Sequence, residues 1–346
     1  MRKHLLILTT ASLMLSGCAT SELTESTESP AIDVESETQS VEVDEGSTEE
    51  LETAPNPYLP IVAEPFKDSW PTDFRRSEAI GTALFKNFEF FDSRIDSECS
   101  HSANIFFQKE STSEDHVEKI SDAMMRIFCE ELAGDIWLIV GDYPYLKEKI
   151  AELELEADEF GGICGIENPV NNTGCALFRT AWVKQDVTDT WLRNLAAHEI
   201  FHLVQDSISP DPPSWRTPPG SPIRIPNWIT EGSATYFAAA LNSYLGPDTY
   251  GDHLGSSIEL LPDPQTDIDL SSSVMADGFT SEVYNVGQFA TEYLVATSGF
   301  ESYMNLWFSR DLGLDFSEGI LESFGISLEE LYEITSKISL SKESGQ

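Results

Sequence analysis

Basic residues are scarce in this chain of 346 residues: 20 Lys and Arg stand against 60 Asp and Glu, which gives a formal net charge of −40. A phosphate backbone binds a basic surface, so this charge excludes nucleic acid as an expected partner. An anionic membrane surface would repel the body of the protein, and any membrane attachment must therefore be covalent or hydrophobic. The acidity favours solubility but identifies no substrate.

Long hydrophobic runs are lacking as well. After two cations, the mostly apolar run Leu5–Leu15 is too short to span a bilayer of about 30 Å as a helix, and residues 1–17 are predicted to be a signal peptide for export. Its end, Leu15-Ser16-Gly17-Cys18, resembles the lipobox of bacterial lipoproteins. That resemblance implies cleavage before Cys18 and lipidation of this cysteine. By further resemblance to Gram-negative lipoproteins, Ala19 implies the outer membrane, with the periplasmic and surface leaflets both open.

Cations and aromatic residues are absent from residues 19–57, which contain twelve acidic residues. Such a segment cannot bury enough apolar surface to fold, and its like charges repel one another. We therefore expect residues 18–57 to form a disordered acidic tether between the lipid anchor and the folded part.

Cysteine is rare, with five residues, of which Cys18 belongs to the lipobox. The other four form an even set, which favours two disulfides in an exported protein. A Gly-, Asn- and Pro-containing loop separates Cys164 from Cys175, so we expect these two to pair, which leaves Cys99 with Cys129. Four free thiols are the alternative, and the absence of a CxxC pair disfavours a zinc site made of cysteines.

The folded part is predicted to belong to the α+β class, with two lobes. Strand patterns at 103–108, 135–141 and 175–183 alternate with helical patterns, which indicates an α/β lobe over residues 58–207. Seven prolines in 209–226 predict a loop. Mainly helical patterns follow over residues 208–340 (227–241, 281–297, 299–310, 316–324 and 327–338), and 341–346 form a tail.

A long helix is expected to begin at Thr188-Asp189, with Trp191, Leu195, Ile200 and Leu203 as its apolar positions. This helix contains His198-Glu199-Ile200-Phe201-His202, an H-E-x-x-H pattern. At 3.6 residues per turn both imidazoles lie on one face and can bind one metal ion, while the Glu199 carboxylate lies beside it. A satisfied surface or core histidine is the alternative for either residue.

A catalytic zinc needs a third protein ligand and an open position for water. Downstream lies Asn227-Trp228-Ile229-Thr230-Glu231-Gly232-Ser233-Ala234-Thr235-Tyr236. Together the two segments resemble the gluzincin zinc metallopeptidases, particularly the catalytic core of the aminopeptidase N and leukotriene-A4-hydrolase type. The resemblance implies that Glu231 is the third ligand of one Zn²⁺. It also implies a two-lobed architecture, with the zinc helix on the α/β lobe and the third ligand on the helical lobe.

Three further positions follow from the same resemblance. The segment Tyr284-Asn285-Val286-Gly287 is similar to the family's Y-x-x-G segment, which implies that the Tyr284 hydroxyl stabilises an oxyanion. The segment Gly165-Ile166-Glu167-Asn168 is similar to the segment whose Glu binds a substrate's free amino terminus, which implies that role for Glu167. His253 is a candidate second oxyanion donor, with an exposed loop histidine as the alternative.

These residues predict a lipid-anchored zinc metallopeptidase that hydrolyses peptide or protein substrates with a zinc-activated water. Glu199 would take the proton of the water and pass it to the leaving amine. Two alternatives stay open: a zinc hydrolase of non-peptide substrates such as epoxides or esters, and a non-catalytic binding or assembly lipoprotein on the same scaffold. The choice between endopeptidase and exopeptidase action and the oligomeric state stay open too.

Overall fold

The computed structural model describes residues 76–154, 174–177, 179–208, 221, 224–246, 248–250, 270–272, 275–276 and 279–336. Within these residues the chain is a mixed α+β structure with one small sheet and mostly helices, which confirms the expected class. The strands are β1 (Ala103–Phe107), β2 (Ile136–Val140), β3 (Gly174–Leu177) and β4 (Thr180–Val183). The helices are α1 (Arg76–Arg94), α2 (Glu114–Ile127), α3 (Tyr143–Glu152), α4 (Asp189–Ile208), α5 (Asn227–Leu245), α6 (Ser281–Ser298), α7 (Phe300–Asp311), α8 (Phe316–Phe324) and α9 (Leu328–Ser336).

The four strands form one sheet in the order β1-β2-β4-β3. The first three strands in this order run parallel, while β3 pairs antiparallel with β4 at the edge of the described sheet. The inner strands β2 and β4 are almost fully buried, as is usual for strands covered on both faces. The expectation of a single strand over 175–183 was wrong, because the chain reverses between Leu177 and Thr180 and its two halves pair with each other.

Helix α4 is central to the structure. It packs against β3 and β4 on one side and against α2 and α5 on others. Because neighbours cover the helix on several sides, its buried residues are not confined to one stripe. Of the four apolar positions predicted for this helix, Leu195, Ile200 and Leu203 are buried, whereas Trp191 retains 38% exposure.

Aromatic side chains connect α4 to the helices around it. The Phe201 ring stacks on the Phe237 ring of α5 with 4.4 Å between centroids, and both lie against Phe128 at the end of α2 and Phe300 of α7. Such pairs contribute about 0.5–1.5 kcal/mol each beyond their buried area. One hydrophobic cluster therefore includes residues from both of the sequence regions expected to form lobes, and it fixes α4 against α5.

Helices α5 and α6 approach each other backbone to backbone. A Cβ atom on Gly232 would overlap the backbone of Gly287, and a Cβ atom on Gly287 would overlap the Trp228 carbonyl. Only glycine permits this distance between the two helices. The crossing places the N-terminal part of α6, which carries Tyr284, beside the N-terminal part of α5, which carries Glu231.

Two cysteine predictions concern the described residues. Cys99 and Cys129 form a disulfide, with 5.5 Å between their Cα atoms, which confirms this pairing. Cys175 is also disulfide-bonded. The expected partner Cys164 lies outside the described residues, so the Cys164–Cys175 pairing stays a prediction.

None of the helices in the described part of the chain combines the length and the apolar character that a membrane crossing requires. The predicted signal peptide 1–17, Cys18 and the acidic tether lie outside the described residues. The domain boundaries predicted from the sequence stay predictions.

Candidate metal centre

Three potential ligand atoms converge between α4 and α5. His198 Nε2 and His202 Nε2 lie 3.1 Å apart, and each lies 3.3 Å from Glu231 Oε2. Among the residues that the structure describes, this is the only group of three or more His, Cys, Asp or Glu whose ligand atoms lie close enough to hold a metal ion. The predicted ligand set is therefore brought together, and it could hold such an ion.

The two helices produce this arrangement by simple spacing. His198 and His202 are four residues apart on α4, so their side chains leave the same face of the helix. Glu231 lies in the second turn of α5 and reaches both imidazoles from the facing helix. The three side chains keep 9%, 14% and 12% exposure respectively, so solvent still reaches a largely buried cluster.

Both imidazoles have a partner on the nitrogen that faces away from the cluster. His202 Nδ1 lies 2.7 Å from Gln205 Oε1, and His198 Nδ1 lies 3.4 Å from Thr235 Oγ1. The Thr235 hydroxyl donates to the Glu231 carbonyl at 2.8 Å, so its lone pairs face His198. Contacts of this kind orient imidazole rings and direct the Nε2 lone pairs towards the centre of the cluster.

The pKa shifts of the clustered side chains indicate that the cluster favours a positive charge at its centre. Burial raises the pKa of Glu231, but the two imidazoles override burial and hold that pKa below its ordinary value. Burial lowers the pKa of His202, but the facing Glu231 carboxylate reverses the effect and raises it overall. Burial lowers the pKa of His198. A metal ion at this position would take the place of the proton on His202, because imidazole binds metals in its neutral form.

Glu199 is buried on α4 beside the three ligands, with 6% exposure. Burial raises the pKa of its carboxyl group to about 8, against an ordinary value of 4.5. Strand β3 covers it closely, since a Cβ atom on Gly174 would overlap the Glu199 carboxylate. Glycine at this edge-strand position therefore makes room for the acid.

Tyr284 lies next to His198 of the candidate metal centre. Its ring stacks on that of His198, with 6.0 Å between centroids and 28° between planes. The close crossing at Gly232 and Gly287 brings it there from α6, which gives the glycine of the Tyr284-x-x-Gly287 segment a structural role. The structure thus brings Tyr284 to the site, while its part in any reaction stays a prediction.

Several predicted site residues lie outside the described residues: Cys18, Cys164, Glu167 and His253. Sequence reasoning missed Gly174, Gln205 and Thr235. Gln205 carried a signal, because it follows His202 by three residues and so shares its helix face. Thr235 follows Glu231 by four residues and carried the same signal, whereas Gly174 carried none that distinguishes it from any glycine in a strand.

Comparison of the chain with protein-family models, with curated proteins and with solved structures found no significant match. The chemical interpretation of the site therefore depends on its own residues and geometry.

Proposed function

We propose that this protein is a zinc metallopeptidase of the gluzincin type. The observation that carries the proposal is the triangle formed by the ligand atoms of His198, His202 and Glu231, with the buried Glu199 carboxyl beside it. Two imidazoles, one carboxylate and a nearby acid are the set that a catalytic zinc uses to hydrolyse amides. The two-lobed gluzincin architecture is part of this proposal.

The spacing of the three atoms supports zinc in particular. Tetrahedral zinc lies about 2.0–2.2 Å from nitrogen and oxygen ligands, which places those ligands roughly 3.3–3.6 Å from one another. The observed separations of 3.1, 3.3 and 3.3 Å are close to that range. Adjacent ligands of octahedral magnesium would lie nearer, at about 2.9 Å, and magnesium prefers oxygen ligands to imidazole.

Each residue then has a defined task in hydrolysis. Zinc, when bound, supplies Lewis acidity that polarises a carbonyl group and acidifies water. Glu199 takes the proton from the attacking water and passes it to the leaving amine. A cation held by the three ligands favours the carboxylate form of Glu199, which this task requires. The Tyr284 hydroxyl donates a hydrogen bond to the negative charge that develops on the substrate carbonyl oxygen.

The edge strand β3 supports a peptide substrate. It pairs with β4 on one side and forms the edge of the described sheet on the other. An extended peptide can add to such an edge through backbone hydrogen bonds. Because Gly174 of β3 lies against Glu199, a peptide bound along this edge would pass the proposed base.

The test is hydrolysis of a peptide library by the purified chain, with products identified by mass spectrometry. We expect cleavage that is lost after dialysis against a chelator and restored by about one equivalent of zinc. Ester and epoxide substrates are assayed in parallel. Turnover of these alone would replace the proposal with a non-peptide hydrolase, and zinc binding without turnover of any substrate would favour a binding lipoprotein.

The membrane anchor is a second part of the proposal, and its support is the sequence Leu15-Ser16-Gly17-Cys18. We propose an exported bacterial lipoprotein held at the outer membrane through Cys18. Mass spectrometry of the mature N-terminus should find a lipidated Cys18 in the native chain. A Cys18→Ser variant should leave the membrane fraction, and its retention there would contradict the anchor.

A further inference from the structure

Gln205 contacts both helices that carry the metal ligands, and all of its polar atoms have partners. It lies on α4 with 2% exposure. Its Oε1 atom is 2.7 Å from His202 Nδ1. Its Nε2 atom donates to the Thr230 carbonyl of α5 at 3.0 Å and to Ser233 Oγ at 2.9 Å. Thr230 and Ser233 do not belong to the predicted set of metal ligands and catalytic residues.

The partners of the Gln205 amide determine which way it points. A backbone carbonyl can only accept hydrogen bonds, so the amide nitrogen must face Thr230. The Ser233 hydroxyl lies 3.3 Å from the same carbonyl and can donate to it, which leaves the hydroxyl lone pairs for Gln205. The amide oxygen is thereby left to face His202 Nδ1, and that nitrogen must carry the hydrogen of the bond.

This chain of hydrogen bonds defines the state of His202. With hydrogen on Nδ1, a neutral imidazole presents its lone pair on Nε2, the atom that faces Glu231 and His198. The same amide fixes the position of the third ligand, because Thr230 immediately precedes Glu231 in α5. The Gln205 side chain therefore determines which ring nitrogen of His202 carries hydrogen. It also fixes the distance from α4 to Glu231 on α5.

We propose that Gln205 is the positioning residue of the metal centre: it holds His202 with Nε2 towards the metal and joins α4 to α5 at Glu231. This inference rests on the metal site of the proposed function and is independent of the peptidase reaction. Most metal-binding histidines use a carboxylate, a backbone carbonyl or water for this purpose, and here a carboxamide does so.

Gln205→Met tests the proposal, since it keeps the approximate size of the side chain and removes all three hydrogen bonds. Gln288→Met is the matched control. Gln288 is also buried. Its amide donates to Tyr250 and Glu292, and neither of these residues is a proposed metal ligand. Zinc affinity is measured by competition with a chromophoric chelator, and the visible absorption of the Co²⁺-loaded protein reports the ligand geometry. Thermal unfolding of each metal-free variant records the cost to the fold.

We expect Gln205→Met to weaken zinc binding by about 10- to 100-fold and to change the cobalt spectrum, as loss of such partners does in other metal sites. Gln288→Met should keep the native affinity and spectrum, even if both variants unfold at a similarly lowered temperature. Native zinc affinity and an unchanged spectrum in Gln205→Met would overturn the proposal. A shift of equal size in Gln288→Met would overturn it too, since the effect would then be general loosening of the core.

Gln205→Glu separates the acceptor role from packing. A carboxylate keeps an acceptor for His202 Nδ1, so we expect at least about tenfold tighter zinc binding than in Gln205→Met. Equal affinities of the two variants would contradict the proposal. If Gln205→Met does not fold, Gln205→Glu is compared with the native chain, where a loss within about tenfold supports the proposal and a larger loss overturns it. Absence of zinc from the native chain would overturn the proposed function, and with it this inference.

Discussion

Two of the described regions that contain histidine and carboxylates differ in whether their ligand atoms converge on one point. Between α4 and α5, the ligand atoms of His198, His202 and Glu231 converge within a largely buried cluster. Beside the Cys99–Cys129 disulfide, a cavity is lined by Glu98, Cys99, His101, Asp122, Met125 and Arg126. There Asp122 is exposed and forms an ion pair with Arg126 at 2.9 Å, one turn along the same helix.

The difference lies in direction and burial rather than in residue type. The side chains of the candidate metal centre come from two facing helices and converge on one point, where exclusion of water strengthens each charge interaction. At the disulfide cavity, the charged groups face solvent and Asp122 already has a cationic partner on its own helix. Such exposed pairs contribute little to stability, and removing one of them should change little.

Glu199→Gln should produce the largest loss of activity. The variant keeps the three metal ligands and removes the proton acceptor, so we expect turnover to fall by roughly 10²–10⁴-fold with zinc content unchanged. Steady-state kinetics and metal analysis on the same sample provide the measurement. Asp122→Asn makes the same chemical change at the disulfide cavity and should keep full turnover. Native turnover in Glu199→Gln would contradict the assignment of Glu199 as the general base.

Tyr284→Phe should produce the second-largest loss of activity. Loss of one oxyanion donor costs about 10²–10³-fold in kcat, and KM should change little because the bond strengthens only as charge develops. Tyr244→Phe is the control, since its hydroxyl bonds Asp92 at 2.6 Å, outside the metal site. An unchanged kcat in Tyr284→Phe would show that the ring serves only to pack against His198.

Gly174→Ala should act through displacement of Glu199. The added methyl group must overlap the carboxylate, so either β3 or Glu199 has to move. A misplacement of about 1 Å can cost roughly 100-fold in rate, so we expect a 10- to 100-fold loss of kcat/KM while zinc stays bound. Gly81→Ala on α1 adds the same group where no atom lies within 4 Å, and it should leave the kinetics unchanged. Equal activity of the two variants would contradict the close contact at β3.

The pH dependence of stability should show the smallest effect. Burial raises the pKa of Glu199 from 4.5 to about 8, so between these values the folded protein holds a proton that the unfolded chain has released. This contribution to stability is full below the unfolded pKa and is lost as the pH rises through the folded pKa. In chelator-treated protein, the free energy of unfolding should therefore fall from about pH 5 to 8, by up to about 1.4 kcal/mol per pH unit for this one group.

Urea unfolding at several pH values, for the native chain and for Glu199→Gln, isolates this contribution. His202 also has a raised pKa, to which the Glu199 carboxylate contributes, so the difference between the two slopes reports Glu199 together with its interaction with His202. Identical slopes would mean that Glu199 is ionised in the metal-free protein despite its burial.

Local patterns were sufficient to predict the parts of the site that lie within single helices. The four-residue spacing of His198 and His202 fixes their shared face, and the structure places both on α4. Glu231 and Tyr284 came from resemblance to a known family, and the structure brings Glu231 to both histidines and Tyr284 to His198. The bounds of α6, α7, α8 and α9 lie within about two residues of those predicted, since each has a regular apolar pattern.

Contacts between distant segments were not predictable from the sequence. The division of 175–183 into β3 and β4 depends on which strand borders β2, and an apolar run does not encode that choice. The role of Gly174 appears only when β3 lies over Glu199, and the roles of Gly232 and Gly287 only when α5 crosses α6. Trp191 fits the apolar pattern of α4, yet no neighbour covers it completely.

The metal content of the purified chain tests the central claim most directly. Native protein, His202→Ala and His101→Ala are expressed in zinc-containing medium, purified without chelators and measured by elemental mass spectrometry. We expect one zinc per chain in the native protein and in His101→Ala, the control at the disulfide cavity, and none in His202→Ala. A native chain without bound metal, or one whose zinc survives in His202→Ala, would contradict a metal centre at His198, His202 and Glu231.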